Sequence, residues 1–90
     1  MFGNLGGLLG IWPGIREALA SIVVEASNDL VRVTMDGQQK VLQVKLAEDA
    51  GKDPAALEDA LAECFDRVIV DARVKAKAQL ERQLGFKLPF

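Results

Sequence analysis

The stretch Leu30–Ala47, LVRVTMDGQQKVLQVKLA, decides the fold. Val31, Val33 and Met35 alternate with Arg32 and Thr34, the period of two that marks a half-buried strand. Asp36-Gly37 is a tight-turn dipeptide, lengthened here by Gln38 and Gln39. The alternation then resumes, with Leu42, Val44 and Leu46 opposite Gln43 and Lys45. Just upstream, Ile22, Val23 and Val24 are β-branched, and Ser27-Asn28-Asp29 supplies turn residues. Residues 22–47 therefore predict a three-stranded antiparallel meander with one apolar face.

Helices flank the meander. Residues 48–53, EDAGKD, form a connecting loop, and Asp53 before Pro54 is a helix start. No glycine or proline interrupts residues 54–84, so one helix of about 31 residues and about 46 Å is predicted there. Gly85 follows in the position of a helix stop. In the first half Leu57, Leu61, Cys64, Phe65, Val68 and Ala72 share a stripe that is expected to cover the sheet. In the second half Ile69, Ala76, Leu80 and Leu84 define a drifting apolar line. A sheet of six-residue strands is only about 20 Å long, so the helix overhangs it. Leu80, Leu84 and Phe86 are then expected to need a surface from a second copy of the chain. Upstream of the sheet, residues 12–21 predict a short helix with Pro13 in its first turn. Residues 1–11, rich in glycine, are expected to be flexible, and residues 85–90, GFKLPF, form an apolar tail. The order is α-β-β-β-α, an α+β fold in a single domain over residues 1–90.

Ninety residues leave no room for a second core, and so small a domain often completes its burial by oligomerising. The chain has no histidine and one cysteine, Cys64, which excludes an internal disulfide and the common metal and nucleophile–imidazole sites. The acidic residues Glu48, Asp49, Asp53, Glu58, Asp59 and Glu63 lack the order of a calcium loop, and a solvated acidic face is the expectation. No enzyme activity, cofactor or small-molecule substrate is expected. No apolar run is long enough to span a bilayer, and MFGNLGGLLGIW lacks the basic onset and cleavage site of a signal peptide. The expected location is cytoplasmic, with no membrane partner.

The formal charge of −2 is unevenly spread. Residues 1–71 carry six cations against twelve acids; from residue 72 onward Arg73, Lys75, Lys77, Arg82 and Lys87 face Glu81 alone. Such segregation steers a polyanion toward one end of a molecule that is acidic overall. A helix dipole also favours cations near a C-terminus, but its effect is confined to about the last turn. Arg32, Lys45 and Lys40 share the polar sheet face, as a minor basic patch or simply as its solvent side.

The order of elements, ending in GFKLPF, resembles the YbaB/EbfC family of nucleoid-associated proteins. MFGNLGG is similar to the way members begin, and LVRVTMDG resembles their central strand and turn. ALEDALAECFDRVIVDARVKA is similar to their long helix in the placing of Leu57, Glu58, Leu61, Asp71 and Ala72. Two stretches depart: the N-terminal helix is reduced to PGIREALAS, and the turn before the second strand is shortened to SND. The resemblance implies a sheet-centred homodimer from which helices project, binding duplex DNA with little sequence preference, and a nucleoid location.

On that reading Arg73, Lys75, Lys77, Arg82 and Lys87 contact phosphates, with Arg16 adding one from the short helix. Ile69, Leu80, Leu84, Phe86 and Phe90 pack in the dimer or under the tail. The alternative is a dimeric protein-interaction module of the same fold that does not bind DNA and docks its basic end on an acidic protein surface.

Overall fold

The computed structural model describes residues 13–87. The expected flexible segment 1–11 and the tail residues Leu88, Pro89 and Phe90 lie outside them. Five regular elements and one short turn follow each other: α1 (Pro13–Ala20), β1 (Val23–Ser27), β2 (Val31–Asp36), β3 (Val41–Leu46), a 3₁₀ turn (Ala50–Lys52) and α2 (Pro54–Leu84). The strands form one antiparallel sheet in the order β1-β2-β3. This is the α-β-β-β-α arrangement that the strand and helix periodicities predict.

The ends of α2 are chemically fixed. The Asp53 carboxylate accepts from the Ala56 N–H at 3.2 Å, and Pro54 occupies the first turn. Gly85 takes φ 79°, a left-handed conformation open to glycine, and its N–H donates to the Glu81 carbonyl at 2.8 Å.

The core forms where α2 crosses β1 and β2. Val24, Ala26, Val31, Val33 and Met35 from the sheet are buried against Cys64, Val68 and Ala72, with Leu57, Leu61, Phe65 and Ile69 packed around them. Polar contacts hold α2 to the β1–β2 turn. Asn28 Nδ2 donates to the Ala60 carbonyl at 2.9 Å, while its Oδ1 accepts from the N–H groups of Leu30 and Val31. The Cys64 thiol donates to the Ala26 carbonyl at 3.0 Å, and Arg67 donates to the Ser27 carbonyl at 3.0 Å.

The apolar face of the sheet is not covered evenly. The helix contacts β1 and β2, and every residue of edge strand β3 is exposed. Val44 and Leu46 pair with Val33 and Val31 and so share the core face of the sheet. A register shift between Thr34 and Met35 places Val41 opposite Met35 on that face as well. Val41, Leu42, Val44 and Leu46 are between 42% and 53% exposed, an apolar ledge beside the core.

One expectation is corrected. Leu80 was expected to lack cover within its own chain, yet it is 1% exposed. The far half of α2 is met by α1, whose Leu19 is buried to the same degree. The β2–β3 turn secures α1 there. The Gly37 N–H donates to the Leu19 carbonyl at 3.0 Å, and Gln38 Nε2 donates to the Arg16 carbonyl at 3.0 Å. The Asp36 carboxylate shapes the turn by accepting from the N–H groups of Gln38 and Lys40, both at 2.9 Å.

Glycine is required at position 37 by proximity: a Cβ there would lie 2.5 Å from the Leu19 carbonyl oxygen. Gly37→Ala is expected to push α1 off the turn at a cost of about 1–3 kcal/mol, the usual range for overpacking. In a domain this small each kcal/mol lowers the melting temperature by roughly 4–8 °C. An unchanged thermal melt would show that α1 is not held by this contact.

Candidate functional site

α2 distributes its charges by sequence position and by azimuth. At about 100° per residue, Arg73 and Lys77 stand one above the other, as do Lys75 and Arg82, and the two lines lie roughly 140–200° apart around the axis. Ala76 and Leu80 are buried on the back of this half. The opposite, outward side carries Val70, Val74 and Ala78, with one line of cations on each shoulder. Arg73, Lys75 and Arg82 are exposed and Lys77 is half-buried. Among the described residues no ion pair joins these four cations to an acidic side chain; Arg82 reaches the Gln79 amide oxygen at 3.5 Å.

The remaining residues singled out by sequence are more scattered. Lys87 is exposed just beyond the helix, and Arg16 is exposed on α1, a separate element. Ile69 is half-buried against the core and Leu84 is half-buried near the end of α2. Phe86 is 60% exposed, and Phe90 lies outside the described residues. On the outer sheet face Arg32 pairs with Glu25 at 3.1 Å, and Lys45 stands opposite Arg32 across the strands. The Glu25 carboxylate offsets part of the cationic character of that patch. Cys64 is buried, with its thiol committed to the Ala26 carbonyl.

Sequence reasoning passed over Val70 and Val74, which are 54% and 62% exposed. The same helical arithmetic that places Cys64, Val68 and Ala72 on the sheet side puts these valines roughly half a turn away. It likewise missed the exposure of β3, since alternation records which face a side chain is on and not whether that face is covered.

Among the described residues, no three or more His, Cys, Asp or Glu side chains are grouped so as to hold a metal ion. No helix among them is long and apolar enough to cross a membrane. Among the described residues, the second half of this helix offers three exposed cations and one half-buried one, a surface suited to a polyanion.

Fold and surface together define the class: a small α+β protein with a meander sheet and a long helix whose second half is basic. The chain belongs to the YbaB/EbfC DNA-binding family, whose model matches residues 14–86. It is also similar to the crystal structure of an uncharacterized protein from Helicobacter pylori, with a TM-score of 0.74 at 17% identity. That alignment covers 93% of this chain and 97% of the other, and the likeness is one of fold. No curated protein matches the sequence.

Leu80 is the largest buried side chain in the basic half of α2. Leu80→Ala is expected to destabilise the chain by about 2–5 kcal/mol, as buried leucine truncations do. Chemical denaturation checks this; a loss below about 1 kcal/mol would mean that α1 does not cover the helix in solution.

Proposed function

We propose that this protein is a nucleoid-associated homodimer that binds duplex DNA with little sequence preference through the basic half of α2. Arg73, Lys75, Lys77 and Arg82 meet phosphates, and Lys87 and Arg16 extend the contact. The observation that carries the reading, beside family membership, is the run of five cations against one acid from residue 72 onward, on a helix whose back is buried. Phosphate contacts position a protein on DNA without reading sequence, and these side chains act as charges on a solvated surface. The matching location is the nucleoid, inside the cytoplasm.

The dimer is supported by the β3 ledge. An edge strand with four exposed apolar side chains invites pairing, and a second copy covers it with a surface of the same chemistry. The ledge thus takes over the role that the overhanging helix was expected to play. A contact there leaves the outward side of α2 open to DNA.

The protein-module alternative has its own support in the acidic balance of residues 1–71. Salt dependence separates the two. Each phosphate neutralised contributes about −0.9 to the slope of log affinity against log salt, so Lys75→Ala with Lys77→Ala is expected to flatten it by at most about two units per chain. Both substitutions introduce a good helix former at positions outside the core, and the fold should persist. No affinity for duplex DNA at about 20 mM salt, where charges interact over about 20 Å, would overturn the DNA reading and favour the module.

For the dimer, sedimentation of the intact protein is expected to give twice the mass of the chain at micromolar concentration. Val44→Lys, on the exposed ledge, is expected to shift it toward monomer with the circular dichroism spectrum preserved. A folded wild-type monomer at that concentration would remove the dimer.

A further inference from the structure

A helix lying on a flat anionic surface needs its cations on one side; α2 carries them on two. Arg73 and Lys77 occupy one shoulder, Lys75 and Arg82 the other, and a ridge of Val70, Val74 and Ala78 runs between them, with exposed Asp71 and half-buried Glu81 toward its two ends. The ridge is exposed, and the opposite side of the helix is covered by the sheet and by α1. This arrangement fits a channel with an anionic wall on each side.

The major groove of B-DNA has that shape. It is about 12 Å wide and admits an α-helix, whose diameter with side chains is about 10–12 Å. Its walls are the two phosphate backbones, and its floor presents base edges that include the thymine methyl groups. The minor groove, about 6 Å wide, is too narrow for a helix. We infer that the second half of α2 seats in the major groove of duplex DNA. The ridge faces the floor, Arg73 and Lys77 face one strand, and Lys75 and Arg82 face the other. This rests on the DNA-binding reading above and specifies how the helix engages the duplex.

The composition of the ridge accounts for weak sequence preference. Valine and alanine side chains donate and accept no hydrogen bonds, so they contact the floor without distinguishing most base pairs. The seated segment is short. From Arg73 to Arg82 the helix advances about 13.5 Å, and the acids Asp66 and Asp71 lie before it. Glu81 stands on the outward side near the far end and is engaged in a contact of its own. A steep crossing of the groove, rather than a long track along it, suits a segment of that length.

Groove filling tests this directly. Fluorescence anisotropy would compare a short duplex with the same duplex carrying glucosylated 5-hydroxymethylcytosine, whose uncharged sugars fill the major groove and leave the phosphates unchanged. Affinity is expected to fall about tenfold or more on the glucosylated duplex, because the ridge and both shoulders lose their seat together. Netropsin, bound in the minor groove, is expected to leave affinity unchanged. Arg73→Ala with Lys77→Ala and Lys75→Ala with Arg82→Ala are each expected to flatten the salt slope by a similar amount. Equal affinity for plain and glucosylated duplexes, competition by netropsin, or dependence on one cation pair alone would overturn groove seating while leaving DNA binding in place. Failure to bind either duplex in dilute buffer would remove the DNA reading and the groove with it.

Discussion

A single winding seam on α2 organises the molecule. Cys64, Val68, Ala72, Ala76 and Leu80 are buried at intervals of four residues. Four residues turn an α-helix through about 400°, so each step moves the seam about 40° around the axis, and the whole series moves it roughly 160°. One flat surface cannot cover a seam that turns so far. It starts on β1 and β2 and finishes where α1 meets the helix. This is why an eight-residue helix, too short to be stable alone, belongs to the core. Val70, Val74 and Ala78 follow the same four-residue spacing on the outward side, so that exposed line turns with the seam.

Polar contacts secure the two ends of this arrangement in different ways. At the β1–β2 turn Asn28 spends both ends of its amide, one on the loop and one on the Ala60 carbonyl, and Arg67 reaches back to Ser27. Each such bond contributes only about 0.5–1.5 kcal/mol net, but leaving a buried donor or acceptor unpaired costs more, so the turn has one favourable docking position. At the β2–β3 turn the restraint is steric. The missing side chain of Gly37 lets its N–H reach the end of α1, and Asp36 holds the loop that presents it. Between these ends the seam is small, with Cys64, Ala72 and Ala76, so the helix backbone lies close enough for a thiol to reach the Ala26 carbonyl.

What was legible in the sequence follows from this division. The limits of α2 were readable because the capping chemistry is local: Asp53 with Pro54 at one end, Gly85 at the other. Strand alternation was readable for the same reason. Coverage was not. Val44 and Leu46 obey the same alternation as Val31 and Val33, and only the placement of α2 over β1 and β2 leaves them exposed. Leu80 failed in the opposite sense: it is buried within its own chain, while α1, about sixty residues earlier, contacts α2 and is held by the β2–β3 turn at Gly37. The cations were visible as a cluster in sequence, but their separation into two shoulders requires the helical azimuth, as does the exposure of Val70 and Val74 between them.

The polarised charge of α2 also sets a length scale for the proposed DNA contact. Glu63 and Arg82 are nineteen residues apart, or about 28 Å along the helix. The Debye length is about 8 Å at physiological ionic strength and about 30 Å at 0.01 M. At physiological salt Glu63 is therefore largely screened from phosphates held around Arg82, whereas Asp71, two residues before Arg73, is not. In dilute buffer the more distant acids are felt as well. The phosphate contacts follow the contrary trend, losing affinity as salt rises. Repulsion from the acidic half thus offsets attraction most where attraction is strongest, and this limits how tightly one chain can hold DNA. It also favours orientations in which the basic end points into the duplex and the acidic body points away, the geometry of a helix that crosses the groove steeply.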